Sequence, residues 1–217
     1  MESSETITTA RVTHVCRVFQ LLPDRGTVGV TAIDKRSVEG KVKVGKLGLY
    51  ADVQADRAHH GGDEQAVYAF AAEDAAVWAA ELGREIAPGE FGENLRTEGL
   101  DVSNAVIGTR CAIGSAEFEV TIPRTPCSTF ARRMGEDNWV QRFTDNGNTG
   151  AYLRVTRKGS IQAGDEITVT FLPSHGVSVK DLFRGPTPAQ ARALQDAEKA
   201  GELQLTPKVV REVLRVL

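Results

Sequence analysis

Eight short stretches of this chain are rich in β-branched and aromatic residues and end at glycine, aspartate or proline: 12–19 (VTHVCRVF), 28–33 (VGVTAI), 41–44, 66–70, 109–113, 116–122, 150–156 and 166–171. Runs of this length and composition, closed by turn residues, read as strands. Most of them follow one another without a helical segment between. That pattern argues against an open, doubly wound sheet and for a mixed or antiparallel, barrel-like domain, mainly β with peripheral helices. Residues 113–116 (IGSA) predict a tight reversal, and Gly164-Asp165 a second turn.

Two helical regions decorate this β-domain. AEDAAVWAAELG places carboxylates in its first turn and Gly83 at its end, as the helix dipole and a left-handed cap prefer. The segment TFARRMGEDNWVQRFTDNG predicts a short helix, a break at Gly135 and a second helix. Beyond Phe171 the strand signal fades. Thr187-Pro188 and Thr206-Pro207 each set a capping hydroxyl before a proline at the first helical position, and Thr187 with Gln190 matches a capping box. Three short helices are expected at about 178–184, 188–200 and 207–217, sharing an apolar face built from Leu194, Val209, Val210, Val213, Leu214 and Leu217. The expected division is a strand-rich domain over 1–173, a linker at LPSHG (172–176) and a three-helix module over 177–217.

At 217 residues the chain can bury a core without staples. A formal charge of −3 argues against a non-specific nucleic-acid binder. The three cysteines, Cys16, Cys111 and Cys127, are far apart and show neither CxxC nor Cys/His spacing, so no disulfide framework or structural zinc site is expected. The N-terminal sequence lacks a basic start followed by an apolar stretch, and no run reaches membrane-spanning length. The expectation is a cytoplasmic protein, neither secreted nor membrane-inserted.

Four stretches could carry chemistry. In PRTPCSTF, Cys127 sits between a strand's end and a helix's start, with Arg124 three residues before it. Cationic neighbours and helix amides favour a thiolate, and Pro126 restricts the backbone beside the sulfur. Most lone cysteines are nonetheless small buried hydrophobes, and that reading is stronger for Cys16 and Cys111, which fall inside strand patterns. In QADRAHHGGDEQAV, Gly61 and Gly62 permit close backbone approach and His59 or His60 could donate to an anion; a plain permissive loop is the alternative. In FGENL, Asn94 offers a donor and an acceptor to a heterocycle edge, or closes a turn. In AIDKRSVEG, Lys35, Arg36 and Ser37 form a cluster able to meet a phosphate, or a solvated face.

The order TAIDKRSVEGKVKVGKLGL, QADRAHHGGDEQAVYAF, FGENLRTEGLDVSNAVIGT and PRTPCSTF resembles the MOSC domain family, named for the molybdenum-cofactor sulfurase C-terminal domain, in its bacterial YiiM-like branch. The resemblance runs from about residue 12 to 171, and the helical tail resembles the three-helix module that often follows such a domain. It implies a MOSC-like β-barrel that binds the molybdenum cofactor, a pyranopterin dithiolene carrying a phosphate, independently of pyridoxal phosphate. It also implies that Cys127 is the protein ligand to molybdenum. Relatives in this branch are associated with reducing N-hydroxylated compounds such as hydroxylaminopurines, with a flavoprotein reductase as electron donor. By motif position and chemical type, Lys35, Ser37 and Arg124 become candidate phosphate or pterin contacts, and His60, Gly61, Gly62 and Asn94 pocket wall. Asp56, His59 and His60 become candidate proton donors. One departure stands out: where the family pattern has GLEGDxQAD this chain has GLYADVQAD, so Ala51 replaces a glycine and Tyr50 an acidic or small residue. If that glycine serves positive φ, Ala51 reshapes the turn. Two other functions stay open, a non-redox cofactor or sulfur carrier using a Cys127 persulfide, and a small-molecule binding module whose chemistry has lapsed.

Overall fold

Strands dominate the computed structural model, which describes residues 9–26, 28–55 and 61–217. In chain order they are β1 (Arg11–Val18), β2 (Leu22–Pro23), β3 (Val30–Thr31), β4 (Lys35–Ser37), β5 (Val42–Gly45), β6 (Gly48–Leu49) and β7 (Val67–Ala71). Helix α1 (Ala72–Leu82) leads to β8 (Leu95–Glu98), β9 (Arg110–Ile113) and β10 (Ala116–Pro123). Helices α2 (Ser128–Met134) and α3 (Trp139–Asn146) precede β11 (Ala151–Arg157), β12 (Gly159–Ile161) and β13 (Ile167–Phe171). The tail is α4 (Val179–Arg184), α5 (Pro188–Lys199) and α6 (Pro207–Val216).

Eight strands form one sheet in the order β13-β9-β10-β11-β7-β8-β1-β4. Its pairs are antiparallel except β7–β8, which run parallel because α1 carries the chain back between them. The sheet curls until its ends approach: Val12 N–H donates to Asp165 O at 2.9 Å, Gly164 N–H to Val12 O at 2.8 Å, and Ile167 N–H to Ala10 O at 2.8 Å. These few bonds draw β1 to the start of β13 without a continuous ladder. The expected barrel is therefore a curled sheet with a seam. No helix among the described residues is long and apolar enough to cross a membrane.

Strand alternation sorts side chains into two cores. Along β7, Val67, Ala69 and Ala71 enter a large aliphatic core, while Tyr68 and Phe70 point the other way into an aromatic one. The aromatic core joins Trp78 of α1, Phe91, Phe130 of α2, and Trp139 and Phe143 of α3. Phe130 meets Phe143 edge-on at 5.1 Å, and Trp78 lies 4.6 Å from Trp139. Gly135, at φ 68°, supplies the expected break between α2 and α3.

All three tail helices lie near their expected positions, and α5 and α6 start where the threonine and proline signals put them. Thr187 and Gln190 make both bonds of a capping box, and Thr206 Oγ1 accepts from Val209 N–H. A capping box at Ser178 and Asp181, not foreseen, starts α4. Leu182, Leu194, Val209 and Val213 pack into the same aliphatic core as the sheet, whereas Leu214 and Leu217 are exposed. The linker is anchored by His175, whose Nε2 bonds Ile107 O at 2.9 Å while its Nδ1 accepts from Val177 N–H at 3.0 Å. Only the neutral ring can serve both bonds, and burial lowers the histidine's pKa accordingly.

Candidate functional site

A cavity of about 530 Å³ opens beside the curled sheet, within the range of small-molecule sites. Its wall includes the hairpin residues Asp24 and Val30, Lys35, the segment from Asp52 to Ala55, Gly61, Tyr68, Asn94, and the run from Arg124 to Thr129 apart from Pro126.

Cys127 stands between β10 and α2, with extended backbone (φ −131°, ψ 170°), and is half-buried in the cavity wall. Helix α2 is held from both sides. Arg132 Nε donates to Asp24 Oδ1 at 2.8 Å, and Arg133 donates to Asp34 Oδ1 at 3.0 Å. Burial pushes the Asp34 carboxyl up, but a hydrogen bond from Gln20 and the charges of Arg133 and Arg36 outweigh it and hold the group below the ordinary carboxylate range. These links fix the helix that positions Cys127. Cys16 and Cys111 are buried, and burial pushes both thiols to about 12, so neither supplies a thiolate near neutral pH.

Arg124 is the unusual group of the site. It is buried, with only 5% of its surface exposed, and makes no ion pair or hydrogen bond among the described residues; its buried Nη1 has no partner. Aromatic faces hold it instead. The guanidinium carbon lies 3.5 Å from the centre of the Phe130 ring and 5.7 Å from those of Tyr68 and Phe143. A buried cation without a carboxylate is costly, so its presence in a cavity wall points to an anion as its natural counterpart.

Lys35 also lines the cavity, but Asp52 holds its ammonium in a buried ion pair. Asp52 in turn accepts from Val18 N–H at 2.8 Å and from Asn94 Nδ2 at 2.8 Å. Asn94 is spent on the fold: Nδ2 also donates to Cys16 O at 3.2 Å, and Oδ1 accepts from Tyr68 N–H at 3.1 Å. The expectation of an amide presented to a heterocycle edge is revised accordingly, since both Asn94 donors are committed. Its neighbour Glu93, fully buried, pairs with Arg96 and accepts from Gly89 and Phe91 N–H groups, so the FGENL motif builds the wall rather than reading a ligand. The turn that delivers Asp52 has Ala51 at φ 60°, the left-handed conformation for which a glycine was expected. Alanine thus keeps the turn and bears its strain.

Other expected residues separate. Gly61 lines the cavity, and its N–H donates to Gln65 Oε1 at 2.9 Å; a Cβ there would lie 2.6 Å from Gln54 Oε1. Gly62, at φ 85°, donates to Gln54 Oε1 at 3.1 Å but is not in the wall. Ser37 is exposed on β4, opposite Cys16, and lies outside the cavity, so the tertiary structure removes it from the set. Asp56, His59 and His60 lie outside the described residues. Tyr68, Phe91, Tyr152 and Asp52 join the site without having been singled out. Only Asp52 carried a sequence signal, as the residue after the irregular Ala51.

The MOSC domain model matches residues 56–168, just over half of the chain, including Asn94, Arg124 and Cys127. The chain belongs to the MOSC domain family. This MOSC chain is 33% identical over 150 residues to the uncharacterized protein YflK of Bacillus subtilis, an alignment covering 69% of the chain and 68% of YflK. It is 33% identical over 137 residues to protein YiiM of Escherichia coli, covering 61% of each. A protein named "Reductase" from Gibberella moniliformis is 30% identical over 167 residues, which is 74% of this chain but 30% of that one. The MOSC chain therefore spans less than two thirds of YiiM and of the Gibberella protein. The crystal structure of YiiM from Geobacillus stearothermophilus superposes with a TM-score of 0.75 at 22% identity, over 96% of this chain and 99% of that one. That of Escherichia coli YiiM gives 0.70 at 22% identity. At such identity the superpositions show a shared fold, and with the sequence matches they place the chain in the YiiM-like branch.

Proposed function

We propose that this MOSC chain is a molybdenum-cofactor-binding oxidoreductase that reduces N-hydroxylated compounds such as hydroxylaminopurines, with Cys127 as the protein ligand to the metal. One observation carries the reading: a single cavity holds the half-buried Cys127 together with the buried Arg124, whose Nη1 has no hydrogen-bond partner among the described residues. Membership of the MOSC family and likeness to a protein named as a reductase support it.

The residues suit the group. Among the described residues no three His, Cys, Asp or Glu side chains gather to hold a bare metal ion. A pyranopterin dithiolene brings its own sulfur ligands, so one further soft thiolate matches what Cys127 offers. Arg124 supplies a desolvated cation for the cofactor's phosphate or pterin edge. Lys35, restrained by Asp52, keeps donors on its ammonium for the same anionic group.

Reduction of an N-hydroxylated compound consumes two electrons and two protons; the N–O bond breaks, the oxygen leaves as water and the amine remains. When bound, the cofactor supplies the two-electron chemistry. A flavoprotein reductase is the proposed electron donor. Tyr152, half-buried, and Tyr68 line the cavity with aromatic rings against which a flat heterocycle can lie. The Tyr68 hydroxyl donates to Thr149 O at 2.8 Å and burial raises its pKa far above neutrality, so it is not the proton source. We assign proton delivery to Asp56, His59 and His60, on their place in the QADRAHHGG stretch.

Molybdenum per chain, measured by elemental mass spectrometry in protein from a host that makes the cofactor, tests the proposal. Near-stoichiometric metal in the wild type and its loss in Cys127→Ser, together with turnover of a hydroxylaminopurine, is the expected result. Wild-type protein without molybdenum, from a host shown to be cofactor-sufficient, overturns it.

A further inference from the structure

A second cavity of about 450 Å³ lies between the end of β10, the end of α4 and the outer face of α6. It shares Gln65, Thr125 and Tyr152 with the Cys127 cavity, so the two are neighbours with these residues between them. Its charge is one-sided. Among the described residues Arg184, Lys208, Arg211 and Arg215 line it with one carboxylate, Glu212, which Arg215 engages at 2.7 Å, while Glu64, outside the lining, also acts on Lys208 and Arg211. Arg184 and Arg211 make no ion pair or hydrogen bond among the described residues. Burial, and then the charge of Arg211, lower the Lys208 pKa, while Glu64 opposes that shift. Cations crowded around a concave site repel one another until an anion enters.

We propose that this second cavity binds the phosphate ester of a phosphorylated substrate, so that the reductase acts on N-hydroxylated nucleotides, the base at the Cys127 cavity and the phosphate at Arg184 and Arg211. The substrate assignment rests on the reductase reading; the anion site does not. The chemistry favours a small ester over an acidic protein surface. The site is a hollow bordered by Thr125 and Tyr152, and its place next to the first cavity matches a ligand that has a flat end and an anionic end reaching past these residues. Guanidinium groups suit phosphate oxygens through paired donors.

Calorimetric titration of the full chain with adenosine and with adenosine monophosphate tests the anion site directly. The monophosphate binds about tenfold more tightly at low salt, an advantage that shrinks as salt rises and disappears in the Arg184→Ala/Arg211→Ala double variant. Equal affinity for the two ligands overturns the proposal, as does a double variant that loses only the binding of an acidic protein partner. Steady-state kinetics on N-hydroxylated adenosine and its monophosphate give the second arm. The ratio of kcat/KM for nucleotide over nucleoside falls about tenfold in Arg211→Ala. If the molybdenum-loaded wild type turns over neither compound, the reductase reading fails while the binding result still decides the anion site. A loss of molybdenum in the double variant without loss of nucleotide preference would assign the cations to the cofactor and overturn the substrate site.

Discussion

Replacing Ala51 by glycine relieves a cost that can be worked from the backbone. Ala51 has φ 60° and is exposed, so its methyl contributes strain and no packing. The left-handed conformation costs an L-residue about 1–2 kcal/mol. Glycine gives back about 0.4–1 kcal/mol through the greater freedom of its unfolded chain. The net gain is about 1 kcal/mol, which for a domain of this size raises Tm by about 2–4 °C. Thermal melts, with urea unfolding at unchanged m-value, measure it. Asn138, the other non-glycine residue with positive φ (53°) and likewise exposed, is the control. Asparagine tolerates this region, so Asn138→Gly gains little. An Ala51→Gly variant that melts at or below the wild type, or an Asn138→Gly variant that gains as much, refutes the strain argument. On the proposed function the same substitution leaves molybdenum retention unchanged, because Asp52 already holds its place beside Lys35.

Arg124→Met removes a buried cation that has no carboxylate partner among the described residues, so cofactor-free protein melts at the same or a higher temperature, while on the proposed function molybdenum retention falls; a large drop in melting temperature with metal retained would mean the arginine is structural. Asn94→Ala strands Tyr68 N–H and Cys16 O and weakens the hold on Asp52, and urea unfolding registers a loss of about 3–5 kcal/mol. Stability also depends on His175. Its folded pKa lies below its unfolded value, so its contribution is complete above about pH 6.5. That contribution is lost as pH falls through the folded pKa, and chemical denaturation of His175→Gln across this window shows a flatter acid limb than the wild type.

Local chemistry was enough for the elements whose ends are written in side chains. The Thr-Pro pairs start α5 and α6, Gly83 and Gly135 stop α1 and α2, and the Ile-Gly-Ser-Ala reversal joins β9 to β10, each for a reason contained within a few residues. The position of Cys127 between a strand and a helix was legible in the same way. Very short strands were not: β6 and β12 are two and three residues long and exist because β5 supplies partners for both. Nor could sequence rank the polar candidates of the site. Lys35, Ser37, Asn94 and Arg124 are equally able to meet a phosphate as residue types. The fold ties Lys35 to Asp52 while leaving donors on its ammonium, sends Ser37 to solvent, spends Asn94 on three internal bonds and leaves Arg124 buried against aromatic faces. A hydrogen bond or ion pair depends on where a distant segment brings its partner, and that is set by packing over the whole sheet. Residue chemistry determined which side chains could act; only tertiary structure decided which of them still had a bond to offer.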